Sequence, residues 1–107
     1  MDKKLVEAVI ETTIKHCGLS VDELFTLKPT NITDAHVKTQ QDAVMFILFR
    51  KNIANVHEIS FLFNSTPEEV LCRLFRVGLR PSNAEDKDFY QQLEIILNDL
   101  GMDSIWR

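Results

Sequence analysis

The chain has 107 residues, of which 45% are hydrophobic and 26% charged, and a formal net charge of −4. That size supports one domain with a modest core, and the composition is ordinary for a globular protein. The acidic balance excludes a global basic field that would draw the chain to nucleic acid, leaving only a local patch for that purpose.

Leu5, Val6, Val9, Ile10, Ile14 and Cys17 follow helical spacing, with Asp2 as N-cap and Gly18 as stop. Ser20 then caps a short helix through Phe25, with Glu23 completing a capping box. Leu27 to Thr33, which includes Pro29 and Asn31, reads as a loop.

The longest helix is expected from about Asp34 to Lys51. Its first half is polar (His36, Lys38, Gln40, Gln41, Asp42). Its second half, Ala43 to Phe49, is apolar on every side. A strand is the alternative for so short an apolar run. Continuity with Val37 and the lack of flanking turn residues favour a helix buried on nearly all faces, the central element of a domain. Arg50 and Lys51 end it, well placed for the helix dipole.

Asn52 to Asn55 connects to a helix from Val56 to Phe63, capped by Asn55. Thr66-Pro67-Glu68-Glu69 is the clearest start signal in the chain. Thr66 caps, Pro67 takes the first helical position and Glu69 completes a box. That helix is expected to end at Val77, before Gly78. Ser82 or Asn83 caps a last helix to Leu100, in which Phe89, Tyr90, Leu93, Ile96, Leu97 and Leu100 form the apolar stripe. Gly101 closes it, and the tail to residue 107 carries Ile105 and Trp106. The expected fold is all-α: a single domain over residues 1–107 with about six helices.

The stretch from Ile59 to Val70 has the spacing of a helix-turn-helix. Ile59 supplies the early apolar residue of the first helix. Asn64 stands where the turn needs a left-handed backbone. Thr66 and Val70 supply the cap and the core residue of the second helix. Phe63, Val70, Leu71 and Leu74 are expected to close the wedge between the two. On a helical wheel Val70, Leu71, Leu74, Phe75 and Val77 gather on one side, and Glu68, Glu69, Cys72, Arg73 and Arg76 on the other. The first turns of such a helix normally meet the major groove. Here Glu68 and Glu69 occupy them, and phosphates repel both. Glu69 also stands four residues before Arg73, where it partly neutralises it.

With Asp22-Glu23-Leu24-Phe25, the long central helix and the hairpin from Ile59, the layout resembles the C-terminal DNA-binding domain of the bacterial replication initiator DnaA, of the Trp-repressor-like helix-turn-helix class. The order and lengths agree over roughly residues 5–100. The resemblance implies a helix-turn-helix fold and a regulatory role in replication or transcription. The family's reading segment carries an Asp-His-Thr-Thr run ahead of a Val. The matching stretch here, Thr66-Pro67-Glu68-Glu69 before Val70, is one residue shorter in the turn, so no base-contacting residue carries over. The family's arginine-rich loop corresponds to Lys28-Pro29-Thr30-Asn31-Ile32-Thr33, with one basic residue.

Other chemistry finds little purchase. His16, His36 and His57 are scattered and none pairs at i, i+4, so no metal site is expected. There is no Gly-rich phosphate loop and no GxSxG, and neither enzymatic activity nor a cofactor is expected. Cys17 and Cys72 lie far apart, outside any CxxC, and read as reduced thiols. No apolar run approaches the ~18 residues that span a bilayer. The start, Met1-Asp2-Lys3-Lys4-Leu5, lacks the features of a signal peptide, and a cytoplasmic setting without a membrane partner is expected.

Two functions compete, and the sequence favours the first, a domain that binds nucleic acid or descends from one that did. In the first, the helix-turn-helix binds double-stranded DNA weakly, with Arg73, Arg76, Arg80, Arg50 and Lys51 on phosphates and Thr66 with its helix N-terminus assisting. In the second, a degenerate helix-turn-helix serves as a protein interaction module without DNA. Ile105 and Trp106 either cover the core or mediate a homodimer or partner contact.

Overall fold

In a computed structural model, residues 2–26, 35–79 and 84–102 are described, apart from the side chains of 17, 26, 35, 36, 76–79 and 84–89. Six helices follow one another: α1 (Lys3–Cys17), α2 (Val21–Thr26), α3 (Ala35–Arg50), α4 (Val56–Leu62), α5 (Pro67–Leu79) and α6 (Ala84–Asp99). Among the described residues there is no strand, and the protein is all-α as expected. The expected loop from Leu27 to Thr33, the cap at Ser82 or Asn83, and the tail with Ile105 and Trp106 lie outside the described residues.

The helix starts are made by local hydrogen bonds, each satisfying amides that have no partner inside the helix. The Asp2 carboxylate accepts from the amides of Lys4 (3.1 Å) and Leu5 (3.3 Å). Ser20 and Glu23 exchange side-chain and backbone hydrogen bonds, both 3.1 Å, across the first turn of α2. Asn55 and Glu58 do the same for α4, at 2.8 and 3.0 Å. The Thr66 hydroxyl accepts from the Glu69 amide at the start of α5 (3.2 Å).

The helix ends share one device. Asn52, Asn64 and Gly101 have φ of 57°, 51° and 71°, and the residue after each donates its amide five residues back. These bonds run from Ile53 to the Leu48 carbonyl, Ser65 to Ser60 and Met102 to Leu97, each 2.9 Å. A left-handed residue lets the chain turn and saturate the last carbonyls, which is the work glycine and asparagine do best. Gly18 closes α1 with φ 71°. Gly78, by contrast, does not stop its helix: α5 continues through it to Leu79. A glycine lowers helix stability without forbidding the conformation.

The centre of the molecule is α3, which packs against each of the other five helices. From Ala43 to Leu48 every side chain is buried, as the apolar run required, whereas Phe49 at its end is 39% exposed. The surroundings are Val6 and Val9 of α1, Leu24 of α2, Ile59 of α4, Val70 and Leu74 of α5, and Leu93, Ile96 and Leu97 of α6. Burying one large apolar side chain of this kind is worth ~1.5–3 kcal/mol, so this run contributes substantially to stability. The polar residues just before it are buried too: Gln40, Gln41 and Asp42 are 1%, 2% and 5% exposed. These polar residues are buried because α5 and α2 close over them and supply partners, Arg73 for Gln41 and Asp42 and the Leu24 carbonyl for Gln41. Among the described residues no helix is long and apolar enough to cross a membrane.

Candidate functional site

The helix-turn-helix is present as α4, the turn at Asn64, and α5. Phe63, Val70 and Leu74 are buried in the wedge. The Phe63 ring lies 5.0 Å from that of Phe25, centroid to centroid, an aromatic pair that ties the hairpin to α2. Ile59, fully buried, anchors α4. The turn follows from the sequence: few residues besides glycine take a positive φ as readily as Asn64 does.

The rotation of α5 differs from the wheel-based expectation, and the difference falls on the candidate site. Leu71 and Phe75 do not close the wedge; they are 51% and 69% exposed. Arg73 does not face solvent. Its side chain is only 17% exposed, and its Nε donates to the Asp42 carboxylate on α3. Its Nη2 donates to the Gln41 side-chain oxygen (3.1 Å) and to the Lys38 carbonyl (3.3 Å). The Gln41 amide in turn donates to the Leu24 carbonyl of α2 (2.8 Å). A buried polar network therefore joins α5 to α3 and α3 to α2. The apolar arc of α5 spans residues 70, 71, 74 and 75, of which Val70 and Leu74 are buried and Leu71 and Phe75 exposed. The buried edge of that arc is the one beside Arg73, which pairs with Asp42.

Of the other basic candidates, the two whose side chains are described are not gathered around Arg73. Arg50 is exposed at the end of α3 and Lys51 half-buried beside it. Arg50 lies about 12 Å along α3 from the level of Asp42, at 1.5 Å per residue, and Lys51 follows it in the turn. Arg76 lies on α5, its side chain outside the described residues, and Arg80 lies outside them altogether. Thr66 is exposed, its hydroxyl committed to the Glu69 amide. The outer face of α5 thus presents Glu68, Leu71, Cys72 and Phe75, all exposed, at i, i+3, i+4 and i+7. Cys72 is a free thiol. Phe61 on α4 is exposed as well, at 86%.

Elsewhere, the His16 Nε2 lies 3.3 Å from the Asp99 carboxylate, near Lys15, and joins α1 to α6. The His57 carbonyl accepts from the Ser60 hydroxyl (2.7 Å). Among the described residues no three His, Cys, Asp or Glu side chains converge to hold a metal. The Asn55 amide, bonded to the Glu58 carboxylate, holds that carboxyl below its ordinary pKa of 4.5. The sequence offered one signal for the network that the wheel missed: three consecutive polar residues, 40–42, abutting the most apolar run of the chain. No protein-family model matches this chain, and neither does any curated protein or solved structure.

Proposed function

We propose that this chain is an interaction module on a helix-turn-helix scaffold, which docks a protein helix on the outer face of α5. The observation that carries this reading is the rotation of that helix: Arg73 is turned inward onto Asp42 while Leu71 and Phe75 stand in solvent. A phosphate-binding surface works by keeping its guanidinium and ammonium groups available for exchange with counterions. Here the arginine nearest the reading position is bonded to a carboxylate, a side-chain amide and a carbonyl of its own domain. In its place the surface offers two apolar side chains one turn apart and two carboxylates at the helix start, which repel a DNA backbone.

The same four residues suit a protein partner. Aromatic and aliphatic side chains dominate interface centres, and charged groups suit the rim. Spacing of i, i+3, i+4 and i+7 is that of a helix face meeting another helix. Glu68 and Glu69 specify the flank: the partner is an apolar helical segment carrying a basic residue near the end that meets the start of α5. The exposed thiol of Cys72 suits the cytoplasm, where thiols stay reduced.

Duplex DNA is the competing ligand because the α4–Asn64–α5 frame is one that reads DNA elsewhere. Two titrations on the intact chain separate the two: one against random-sequence duplex at low salt, the other against displayed helical peptides. The expected result is no saturable DNA binding, and recovery of peptides that the variant Leu71→Ser with Phe75→Ser no longer captures. Saturable, salt-dependent DNA binding that Arg50→Glu with Lys51→Glu abolishes, and that the apolar variant leaves untouched, overturns the reading.

A further inference from the structure

The outward stand of Leu71 and Phe75 is not what the apolar residues of α5 would take by themselves. At 3.6 residues per turn, each residue adds about 100°, so Val70 and Leu74 lie about 40° apart. Leu71 and Phe75 lie about 100° further round on one side, and Arg73 about 60° back from Val70 on the other. The buried residues are Val70 and Leu74. The middle of all four apolar residues is therefore about 50° from the middle of the buried pair, on the side away from Arg73. Burial of apolar surface alone favours the rotation that covers the most of it. The observed rotation leaves two large side chains in water and covers an arginine.

We infer that the acceptors around Arg73 form a latch, which fixes the rotation of α5 and so keeps Leu71 and Phe75 presented at the surface. Asp42, Gln41 and Arg73 are on this view positioning residues for the outer face. The inference rests on the docking reading for the use of that face, while the exposure itself is measured without a partner.

The geometry suits a latch more than a simple ion pair. A lone pair of charges tolerates a range of angles. Here two nitrogens of one planar guanidinium meet three acceptors carried by the same helix: the Asp42 carboxylate, the Gln41 side-chain oxygen and the Lys38 carbonyl. A rigid fork matched to several acceptors sets an angle as well as a contact. The acceptors are themselves held. Gln41 is tied to the Leu24 carbonyl of α2, and both Gln41 and Asp42 are buried. Without its carboxylate the guanidinium has a charge with no partner inside the domain, which drives it toward water. A roll that turns Arg73 outward also carries Leu71 and Phe75 toward α3 and α4, the helices on which α5 lies.

Solvent paramagnetic broadening tests this on the full chain. A neutral gadolinium chelate broadens the NMR signals of exposed side chains, so Val70, Leu71, Leu74 and Phe75 report their exposure without being altered. In Asp42→Ala the broadening of Leu71 and Phe75 is expected to fall severalfold while that of Val70 rises. Asp42→Asn keeps the shape and one acceptor but removes the charge, and is expected to move the signals the same way by less; it carries the test if Asp42→Ala does not fold. Leu97→Ala, which opens the core on α6, is expected to leave the pattern as it is in wild type.

Unchanged broadening at all four residues in the folded Asp42 variants overturns the inference. A rise at all four together also overturns it, since that is detachment of α5 and not a roll. So does the same reversal in Leu97→Ala. If exposure reverses as expected but the wild-type chain captures no helical peptide, the latch stands and the docking reading falls. Capture through Leu71 and Phe75 without any reversal leaves the docking reading standing and overturns the latch.

Discussion

The N-terminal half of α3 and the outer face of α5 depart from the usual placement of side chains in opposite senses. Gln40, Gln41 and Asp42 are buried, whereas Leu71 and Phe75 are in solvent. The buried group is compensated within the molecule. Asp42 and Gln41 accept from Arg73, and Gln41 donates to the Leu24 carbonyl. Among the described residues no buried side-chain nitrogen or oxygen lacks a partner. Burial of polar groups here is therefore explained by the fold. The exposed group has no such compensation, and leaving Leu and Phe in water does nothing for folding. An apolar pair that the fold does not use is where a binding role is to be sought.

Breaking the buried side of this comparison has the largest expected effect. Asp42→Ala leaves the Arg73 guanidinium without its carboxylate inside the domain and is expected to cost about 3 kcal/mol, read by urea denaturation. Replacing both partners with apolar residues, Asp42→Leu with Arg73→Met, is expected to recover most of that loss, because no unpaired charge remains. A loss below about 0.5 kcal/mol for Asp42→Ala would show that the network does not hold α5.

The turn between the two helices comes next. Asn64→Ala forces a side chain that disfavours positive φ into the left-handed region and is expected to cost about 1 kcal/mol. Asn64→Gly should lie within a few tenths of wild type. Equal losses for both substitutions would point to the asparagine side chain rather than to the backbone.

The exposed side of the comparison is sharpened by a small effect. Leu71→Ser with Phe75→Ser at low protein concentration is expected to change stability by no more than about 0.5 kcal/mol, as for other surface positions. A loss of 2 kcal/mol or more in this variant, on the scale of core truncations, would mean that these side chains support the core after all.

The smallest expected effect is the pH dependence of one cap. The carboxyl of Glu58 is held below its ordinary pKa of 4.5 by the Asn55 amide. A depressed carboxylate contributes stability above its unfolded pKa and loses it as pH falls through the folded value. Glu58→Gln should therefore melt below wild type at neutral pH, and the gap should narrow under acid conditions below pH 4.5. A gap independent of pH would assign the effect to the helix propensity of the residue.

Much of the architecture was legible because it is made locally. Asp2, Gly18, Ser20 with Glu23, Asn55, Asn64 and Thr66 act on backbone groups within a few residues of themselves. Composition and order along the chain are enough to place them. The centrality of α3 was legible for a related reason. A run apolar on every side, Ala43 to Leu48, has no face that can meet water, so the other elements must surround it.

The rotation of α5 belongs to the tertiary structure alone. Its apolar residues cover too wide an arc for a wheel to say which edge is buried. Arg73, beside the buried edge, finds its partner 31 positions back in the chain. The burial of Gln40 to Asp42 has the same origin, since polarity predicts exposure unless distant helices close over the site and supply partners. Caps and turns are settled between near neighbours. Which side of a helix looks outward is settled by surfaces the chain brings together only on folding, and the candidate site here is such an outward side.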